Sequence, residues 1–301
     1  MDVAITGSSG LIGSALTTAL RAGGHRVRRV VRSGGGGPDA LRWDPAAGTI
    51  DREGLVGVDA VIHLAGEGIA EKRWSDAQKA RIRDSRVDGT TLIAEAIAGL
   101  DEKPQALLSG SAIGLYGDRG NEALTESSPS GAGFLTEVVE AWEAATAPAK
   151  AAGIRTVHLR TGVVLDPHGG ALGKQLPLFK LGLGGRLGSG RQWLPWISLA
   201  DEVGAITHLL TSTVSGAVNL TAPAPVTNAE FTSTLARVLG RPAVMPIPRF
   251  GPALLLGKEL AESLLYSSAK VLPTVLSADG YRFRHATLEE ALRDLLDRPA
   301  A

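Results

Sequence analysis

A glycine-rich turn near the start of the chain constrains the fold more than any other feature of the sequence. Residues 6–13 read TGSSGLIG, so that a glycine stands at every third position. The turn lies between an apolar run predicted as a strand (residues 2–6) and a segment with helical periodicity (residues 11–22). Such a turn offers a pyrophosphate the positive end of a helix, and its glycines allow close approach. The pattern predicts a dinucleotide-binding unit, although a glycine turn without a ligand is the alternative. We expect phosphate contacts at Gly7, Gly10, Leu11, Ile12 and Gly13.

Strands and helices alternate through the first half of the chain. Strands are predicted at residues 26–32, 59–65, 105–112 and 154–165, and helices at residues 74–99 and 133–152. Two further helices are predicted in the C-terminal part, at residues 253–267 and 287–296. This alternation demands parallel strands joined by right-handed crossovers, with helices on both faces. The predicted fold class is α/β, a Rossmann-type doubly wound parallel sheet with a smaller C-terminal α/β substrate subdomain. We assign residues 1–165 and the returning segment 198–225 to the nucleotide-binding core, and residues 166–197 and 226–301 to the substrate side.

The composition excludes several classes of protein. Lys and Arg together number 31, as do Asp and Glu, so bulk charge favours neither a nucleic acid nor an anionic membrane as a partner. Cysteine is absent, which excludes disulfides, thiolate catalysis and cysteine-ligated metals. The six histidines lack the spacing of metal ligands, so no metal is expected. The chain begins with a predicted strand and has no apolar run of about 18 residues, so we expect no signal peptide, no membrane span and a cytoplasmic location.

The end of the second predicted strand bears on the choice of cofactor. An NAD-binding unit usually carries an acidic residue about 20 positions after the glycine turn, where it binds the adenosine ribose. Here the strand ends with Arg32 and Ser33 and runs into four glycines. A guanidinium group and a hydroxyl suit a 2′-phosphate, which a carboxylate would repel. The sequence therefore favours NADP(H); the alternative is that Arg28, Arg29 and Arg32 form a solvated strand end.

Further motifs resemble one class of protein. HLAG (63–66) and SGSAIGLYG (109–117) end two predicted strands, and RVDGTTLIAEAI (86–97) lies on the helix between them. Together with the glycine turn, they resemble the extended or atypical short-chain dehydrogenases/reductases. The resemblance narrows to the NAD(P)-binding epimerase-like family over KRW…SRVDGT (72–90), GFLTEVVEAWE (133–143), LRTGVVLDPHGGAL (159–172), LGGRLGSGRQWLPWIS (183–198), AVNLTAPAPVTNAEFT (217–232) and VLPTVLSADGYRFRHATLEEALRDLL (271–296).

This resemblance covers nearly the whole chain and implies a Rossmann core, NADP binding and a family-specific C-terminal subdomain. It implies cofactor contacts at Arg32, at Leu64 and Ala65, at Arg86 and around Val163. Ser33, Gly66 and Ser111 are further cofactor-binding candidates. Arg160, at the end of the fifth predicted strand, is a further candidate for binding a negative group, with a structural ion pair as the alternative. The family gives homodimerisation through the helices at 74–99 and 133–147 as an expectation, and it implies a small-molecule substrate of unknown identity.

The residues that usually transfer the proton in this class are missing from their expected place. Active members resemble one another in a serine and a Tyr-x-x-x-Lys pair, in which the tyrosine transfers a proton and the lysine lowers its pKa. Phe134 stands where the tyrosine is expected and Val138 where the lysine is expected. A Tyr-x-x-x-Lys string does occur at residues 266–270, which we interpret as a coincidence of spacing. The catalytic candidates that remain are Ser111, Tyr116 and Glu137, with a turn serine, a packed tyrosine and a solvated glutamate as the alternatives.

Two hypotheses of function follow. The first is an NADP(H)-dependent oxidoreductase or nucleotide-sugar-epimerase-like enzyme, whose glycine- and tryptophan-rich segment at residues 182–196 closes over the substrate. The alternative for that segment is a well-ordered connection whose tryptophans pack into the second subdomain. The second hypothesis is a catalytically silent NADP(H)-binding protein that senses redox state or acts as a scaffold. His63 is expected to line the cofactor cleft or pack, and His158 to lie in the core.

The cofactor assignment generates a test at one residue. We expect Arg32→Asp to weaken NADPH binding and to favour NADH in relative terms, because a carboxylate would repel the 2′-phosphate and bind the free ribose hydroxyl. Fluorescence titration of both cofactors measures the change. An equal loss of affinity for NADPH and NADH would contradict the proposed contact between Arg32 and the 2′-phosphate.

Overall fold

The computed structural model describes residues 1–32, 37, 39–243 and 245–298. Its strands are β1 (Asp2–Thr6), β2 (Arg26–Val31), β3 (Ala40–Asp44), β4 (Thr49–Ile50), β5 (Ala60–His63), β6 (Ala106–Ala112), β7 (Ala123–Leu124), β8 (Arg155–Thr161), β9 (Val163–Asp166), β10 (Trp193–Leu194), β11 (Trp196–Ser198), β12 (Gly216–Leu220), β13 (Val226–Thr227) and β14 (Lys270–Val271). Its helices are α1 (Leu11–Ala22), α2 (Asp76–Ala98), α3 (Phe134–Ala144), α4 (Ala147–Ala151), α5 (Gly170–Lys180), α6 (Leu199–Thr211), α7 (Asn228–Leu239), α8 (Phe250–Leu256), α9 (Lys258–Ala261), α10 (Thr274–Ala278) and α11 (Leu288–Leu295).

Eight of these strands form one sheet in the order β12-β8-β6-β5-β1-β2-β3-β4. All neighbouring pairs are parallel except β3 and β4. The chain builds outward from β1 to β3 on one side and then crosses to β5 on the other. The point where strand order reverses lies between β1 and β5, and open α/β sheets bind ligands in the crevice at such a point. The predicted Rossmann-type architecture is confirmed.

The central strands are apolar because helices cover both faces of the sheet. Every residue of β5 is buried, as are the first six residues of β6. Alternate residues of β1 enter two different cores: Val3 and Ile5 pack with α1 and α6, whereas Ala4 packs with α2. Each fully buried Leu or Ile contributes roughly 1.5–3 kcal/mol to folding, so these two cores hold β1 and β5 in register.

The ends of several helices are set by single residues that can be recognised in the sequence. Ser75 caps α2, its hydroxyl accepting a hydrogen bond from the Gln78 N–H at 3.2 Å. The sequence also predicts a kink or end at Pro148 in the helix at residues 133–152, and this is confirmed: α3 and α4 are separate helices, and Pro148 lies in the first turn of the second. The single helix predicted at residues 253–267 is wrong. Gly257, with a φ of +90°, separates α8 from α9, and a π-helical turn follows at Glu262–Tyr266.

A separate core supports the segments outside the large sheet. Trp196 is fully buried there with Phe231 and Leu292, and its indole N–H donates to a backbone carbonyl oxygen at 3.1 Å. Short strand pairs, β9 with β11 and β10 with β13, join this core to the end of the large sheet. Within the described ranges, no helix is long and apolar enough to cross a membrane.

One carboxyl group is buried inside this framework. Glu202, in α6, is inaccessible to solvent. One of its oxygens accepts a hydrogen bond from Thr161 Oγ1 at 2.8 Å, and the other has no partner within the residues described. Burial, opposed by the Thr161 hydroxyl, raises the pKa of Glu202 to about 8. The side chain is therefore mostly protonated at neutral pH.

This raised pKa makes folding stability depend on pH. The folded protein holds the Glu202 proton up to about pH 8, whereas the unfolded chain releases it near the ordinary value of 4.5. The stabilisation present at low pH is therefore lost as the pH rises between these values. We expect the unfolding free energy of the wild type to fall relative to Glu202→Gln by roughly 1 kcal/mol per pH unit over this range. Urea unfolding at several pH values measures this, with the exposed Glu140→Gln as control; parallel profiles for wild type and Glu202→Gln would contradict the raised pKa.

Candidate functional site

The first turn of α1 presents unfilled backbone donors. Its N-cap residue, Gly10, has an extended backbone and no side chain to accept a hydrogen bond, and no acidic residue lies in the first turn. The N–H groups of Leu11, Ile12 and Gly13 therefore have no side-chain cap. Because the helix dipole adds a partial positive charge at the same place, this turn can bind an anion. The five residues predicted to contact phosphate lie together in this turn and the loop before it.

Two glycines allow the loop, the helix and the neighbouring strand end to approach closely. Gly7 has a φ of +67°, which a residue with a side chain rarely adopts. A Cβ on Gly13 would lie 2.2 Å from the Gly7 carbonyl oxygen, and a Cβ on Gly7 would lie 2.8 Å from the Leu64 carbonyl carbon. Neither distance leaves room for a methyl group. The glycine loop thus rests directly on the segment after β5 that contains the predicted contacts Leu64 and Ala65.

Thr6 joins these two segments, and the sequence analysis missed it. Its hydroxyl accepts hydrogen bonds from the Leu64 and Ala65 N–H groups at 3.1 and 3.2 Å. The same oxygen lies 2.8 Å from His63 Nδ1. With both lone pairs occupied, the hydroxyl donates its proton to His63, which fixes that nitrogen as an acceptor. The available signal was the hydroxyl residue at the end of the first strand, directly before the glycine turn.

Arg86 reaches the same crevice from α2. Its guanidinium donates to the Glu67 carbonyl oxygen at 2.9 Å and stacks over the Trp142 ring, 5.0 Å from the centroid. A Cβ on Gly66 would lie 3.3 Å from the guanidinium carbon of Arg86. Burial lowers the pKa of Arg86 to about 10, against the charge of Glu67. Burial and this cation together lower the pKa of His63 to about 4, so the imidazole is neutral at physiological pH.

Arg32 directly follows β2 and is exposed. Two arginines earlier on β2 are ion-paired: Arg26 and Arg28 both bind the Asp2 carboxylate, at 3.3 and 2.6 Å. The Arg32 side chain has no hydrogen bond or ion pair with any residue that the structure describes. Its charge is therefore free for an external anion, whereas Arg28 has the structural role. Ser33 lies outside the described residues.

The strand end that carries Ser111 is occupied by a buried charge network. Ser111 stands opposite Arg160 in the register of β6 and β8. Glu143, from α3, accepts a hydrogen bond from the Ser111 hydroxyl at 2.6 Å and two from Arg160, at 2.8 and 2.9 Å. His158 Nδ1 lies 3.3 Å from the same carboxylate. Burial would raise the pKa of Glu143, but the hydrogen bonds from these three residues outweigh it and lower that pKa.

This network changes the interpretation of Arg160. Besides the two bonds to Glu143, its guanidinium donates to Tyr116 Oη at 3.0 Å and to the Glu126 carbonyl oxygen at 3.2 Å. Its side chain is only 9% exposed. Arg160 is engaged in a structural ion pair, which was the alternative, and its contact with the cofactor stays a prediction.

The positions of Tyr116 and Glu137 do not support catalytic roles. Tyr116 is fully buried, and its hydroxyl accepts from Arg160 and donates to Asn219 Oδ1 at 2.7 Å. Burial raises the pKa of this phenol. Glu137 is exposed on the first turn of α3. Ser111 lies at the carboxyl end of β6 as expected, but its hydroxyl proton is held by Glu143. Glu143 itself was missed, because its pairing depends on two other segments.

The face of α3 that should carry the tyrosine and lysine is apolar. Val138 is buried, and Phe134 packs edge-on against Trp74 with centroids 4.9 Å apart. The cations here come from α2 instead. Lys79 places its ammonium group 5.3 Å from the Phe134 centroid and pairs with Glu259 at 2.5 Å. Lys79 and Arg86, seven residues apart on α2, thus both contact aromatic rings of α3.

The segment at residues 182–196 is held in place by hydrogen bonds. The Trp193 indole N–H donates to Asn121 Oδ1 at 2.9 Å, and Trp196 is part of the second core. Val163, a predicted cofactor contact, pairs in register with Trp196 at the start of β9 and is half-buried. These contacts favour the ordered connection over a lid. No group of three or more His, Asp or Glu that could hold a metal occurs within the ranges given above.

The sheet topology and the glycine loop define a Rossmann-type nucleotide-binding protein. Residues 3–221 match the NAD dependent epimerase/dehydratase family, and residues 247–295 match a domain of unknown function, DUF1731. The first match covers more than half of the chain, which therefore belongs to the NAD dependent epimerase/dehydratase family, with its NAD(P)-binding Rossmann fold. The resemblance that the sequence motifs indicated is confirmed.

Similar proteins span the full length of this chain. Epimerase family protein Mb2239 of Mycobacterium bovis is 46% identical over 298 residues, 99% of this chain and 98% of that protein. The crystal structure of human epimerase family protein SDR39U1 (isoform 2) with NADPH matches at a TM-score of 0.91 and 36% identity, covering 99% of this chain and 100% of that one. A nucleoside-diphosphate sugar epimerase from Corynebacterium glutamicum matches at a TM-score of 0.80 and 38% identity, covering 98% of this chain but 58% of that one.

The buried network makes Glu143 a sensitive position. We expect Glu143→Gln to lower the unfolding free energy by about 3 kcal/mol, because it leaves the buried Arg160 charge uncompensated. The control is Glu122→Gln, which breaks an exposed pair with Arg119 and should cost less than about 1 kcal/mol. Urea unfolding at pH 7 measures both variants. Equal, small losses would show that the Glu143–Arg160 pair contributes no more than a surface ion pair.

Proposed function

We propose that the protein is an NADP(H)-dependent oxidoreductase or nucleotide-sugar-epimerase-like enzyme of the atypical short-chain dehydrogenase class, acting on a small molecule. The observation that carries this proposal is the uncapped first turn of α1, whose Gly13 packs on Gly7, while Gly7 packs on the segment after β5 with no room for a side chain at either glycine. An uncapped helix end with three close glycines is costly unless an anion uses its free donors. A dinucleotide pyrophosphate fits that requirement.

The preference for NADP(H) over NAD(H) is part of the proposal. The Arg32 guanidinium at the end of β2 supports it: this group has no partner within the described ranges, and a 2′-phosphate would compensate its charge. A solved structure of a relative that is 36% identical, human SDR39U1, contains NADPH. We propose that Gly7, Gly10, Leu11, Ile12 and Gly13 bind the pyrophosphate, and that Arg32 and Ser33 bind the phosphorylated ribose.

The nicotinamide half would lie toward β6 and α3. Bound NADPH would supply a hydride from its nicotinamide ring. Arg86, fixed by the Glu67 carbonyl and Trp142, would hold the polar part of the cofactor beside Gly66, and the segment at Leu64 and Ala65 would lie against it. Val138 and Trp142 give this half of the site an apolar wall that excludes water. Lys79, beside Phe134, is the proton-bearing side chain that α2 offers in place of the missing tyrosine.

The proposal extends to the division of the chain into two parts, to its partner, to its location and to its oligomeric state. Residues 1–165 with 198–225 form the cofactor-binding part, and residues 166–197 and 226–301 form the substrate-binding part. The net charge of zero supports a small-molecule partner rather than a nucleic acid or a membrane. A cytoplasmic location and a homodimer through α2 and α3 complete the proposal.

A second candidate is a catalytically silent NADP(H)-binding protein that senses redox state or serves as a scaffold. One observation favours it: Phe134 and Val138 replace the proton-transferring pair, while the Ser111 hydroxyl and the Tyr116 hydroxyl are engaged in the buried network. A structure with NADPH and a panel of carbonyl substrates separate the two candidates. A nicotinamide face blocked by side chains would rule out the enzyme. An open face with an acid such as Lys79 within hydrogen-bond reach would count against the silent protein.

Cofactor binding itself is tested at the glycine loop. We expect Gly13→Ala to weaken NADPH binding at least tenfold, because the added methyl group would displace α1 from the Gly7 carbonyl and misplace the phosphate donors. The matched control is Gly251→Ala in α8, where an added Cβ meets no atom within 4 Å. Calorimetry with NADPH measures both variants. Wild-type protein that binds neither NADPH nor NADH would overturn the proposal.

A further inference from the structure

Exposed apolar side chains are concentrated on one surface of the C-terminal part. Within the described ranges, every exposed large apolar side chain except Val56 lies in one of two stretches, residues 178–183 and 245–255. We call these seven side chains, which are 48% to 75% exposed, the apolar face: Leu178, Leu181, Leu183, Met245, Phe250, Leu254 and Leu255. Soluble proteins rarely expose so many large apolar groups together unless the surface binds something.

The two stretches of the apolar face lie side by side. The Ile247 N–H donates to the Arg186 carbonyl oxygen at 2.8 Å, and the Gly188 N–H donates to the Ile247 carbonyl oxygen at 3.0 Å. A Cβ on Gly182 would lie 3.5 Å from the Pro242 side chain. The chain that leaves α5 is therefore paired with the chain that leads into α8, and this pairing brings the exposed residues of both stretches to one surface.

Helix α8 contributes most to this surface because it buries nothing in its own protein. Its sequence is FGPALLL, yet none of its residues is buried. Phe250 and Leu254 lie four residues apart, which places them on the same side of the helix. The Arg73 guanidinium donates to the carbonyl oxygens of Leu254 and Leu255, the second at 3.1 Å. The helix is thus held by its backbone, while its apolar side chains remain available to another apolar phase.

The charges around the apolar face have one sign. Residues 170–187 and 241–258 contain no Asp or Glu and six cations, all exposed: Lys174, Lys180, Arg186, Arg241, Arg249 and Lys258. Arg249 pairs with Glu262 at 2.8 Å. The side chains of the other five make no ion pair or hydrogen bond with any residue that the structure describes. The next acid along the chain, Glu259, pairs with Lys79, so the free charge at this surface is positive.

Charge and side-chain type together identify the class of partner. A second copy of the chain is disfavoured, because a two-fold interface would place these cations against their own copies. An acidic protein would match the charge, but protein interfaces are depleted in Lys, and Leu is uncommon among the residues that dominate their binding energy. Five of the seven side chains of the apolar face are leucines, and three of its six cations are lysines. Leucine and phenylalanine bordered by Lys and Arg are typical of surfaces that lie in a lipid interface.

We propose that the apolar face docks the protein on the surface of a bilayer that contains anionic lipids. The side chains of α8 and of the end of α5 enter the boundary between headgroups and acyl chains, and the six cations contact the headgroups. The attachment is peripheral, since no helix in the described part of the chain can cross a membrane. The zero net charge of the chain does not oppose it, because salt limits electrostatic attraction to about 10 Å and the lipid surface therefore meets only the local charge. This docking does not depend on the proposed cofactor or reaction.

Flotation with lipid vesicles tests the docking. The full-length protein is mixed at about 0.1 M salt with vesicles of phosphatidylcholine alone or of equal amounts of phosphatidylcholine and phosphatidylglycerol. We expect the wild type to bind the anionic vesicles at least tenfold more tightly than the neutral ones, since each cation near an anionic surface contributes roughly fivefold. The double variant Leu254→Ser/Leu255→Ser should lose roughly tenfold or more in affinity for the anionic vesicles, because it removes apolar side chains that enter the bilayer. Lys180→Gln/Arg186→Gln should lose a similar factor on the same vesicles.

Each double variant has a matched control away from the apolar face. Val56→Ser removes an exposed apolar side chain beside β5. Arg42→Gln/Arg52→Gln removes two exposed cations, one on β3 and one shortly after β4. Both controls should bind the anionic vesicles as the wild type does. All four variants should keep the wild-type melting temperature, because every substituted side chain is exposed.

Three results would overturn the proposal. The first is a wild type that does not bind anionic vesicles, and the second is an equal loss of affinity in Leu254→Ser/Leu255→Ser and in Val56→Ser. The third is a different occupant of the apolar face. A dimer in sedimentation that Leu254→Ser/Leu255→Ser dissociates would assign the face to a second copy, and binding to an acidic amphipathic peptide but not to vesicles would assign it to a protein partner. Measurements with NADPH test the proposed function separately, since none of the substituted residues is assigned to the cofactor site.

Discussion

The contact between the glycine loop and the segment after β5 is the constraint on which the nucleotide site depends. Gly7 lies too close to Leu64 for any side chain, and Gly13 lies too close to Gly7. The Thr6 hydroxyl locks this arrangement by accepting two backbone N–H groups from the neighbouring segment. Because β1 and β5 flank the point where strand order reverses, this contact fixes the floor of the crevice, while the uncapped helix end fixes its charge.

On the opposite side of the crevice, α3 presents apolar side chains, and the polar groups at the end of β6 bind one another. The usual polar pair of α3 is replaced by Phe134 and Val138, and the serine at the end of β6 donates to Glu143. Glu143 and Arg160 hold β6, β8 and α3 together by charge. The cations that contact α3 come from the neighbouring helix, where Lys79 and Arg86 stack on its aromatic rings. The polar groups on this side of the crevice thus lie on β6, β8 and α2 and pair with or stack on residues of α3.

A cavity beside Tyr266 is lined partly by the C-terminal part and partly by the loops at residues 120–121 and 189–192. Its lining comes from segments that are distant in the chain and are joined by hydrogen bonds of Ser268 and Gln192. The glycine-rich stretch at 182–196, which resembled a mobile lid, is one of its ordered walls.

The sequence by itself determined the Rossmann architecture and the dinucleotide loop, because both arise from local patterns: apolar strands alternating with helices, and glycines at fixed spacing before a helix. It also located the helix break at Pro148, since proline acts on its own neighbours. Only the tertiary structure decided which polar residues are free and which are paired. Arg32 and Arg160 are both arginines at predicted strand ends, yet the first pairs with none of the residues that the structure describes and the second is neutralised by Glu143. The partner of a buried charge comes from a distant segment, so no local pattern encodes it.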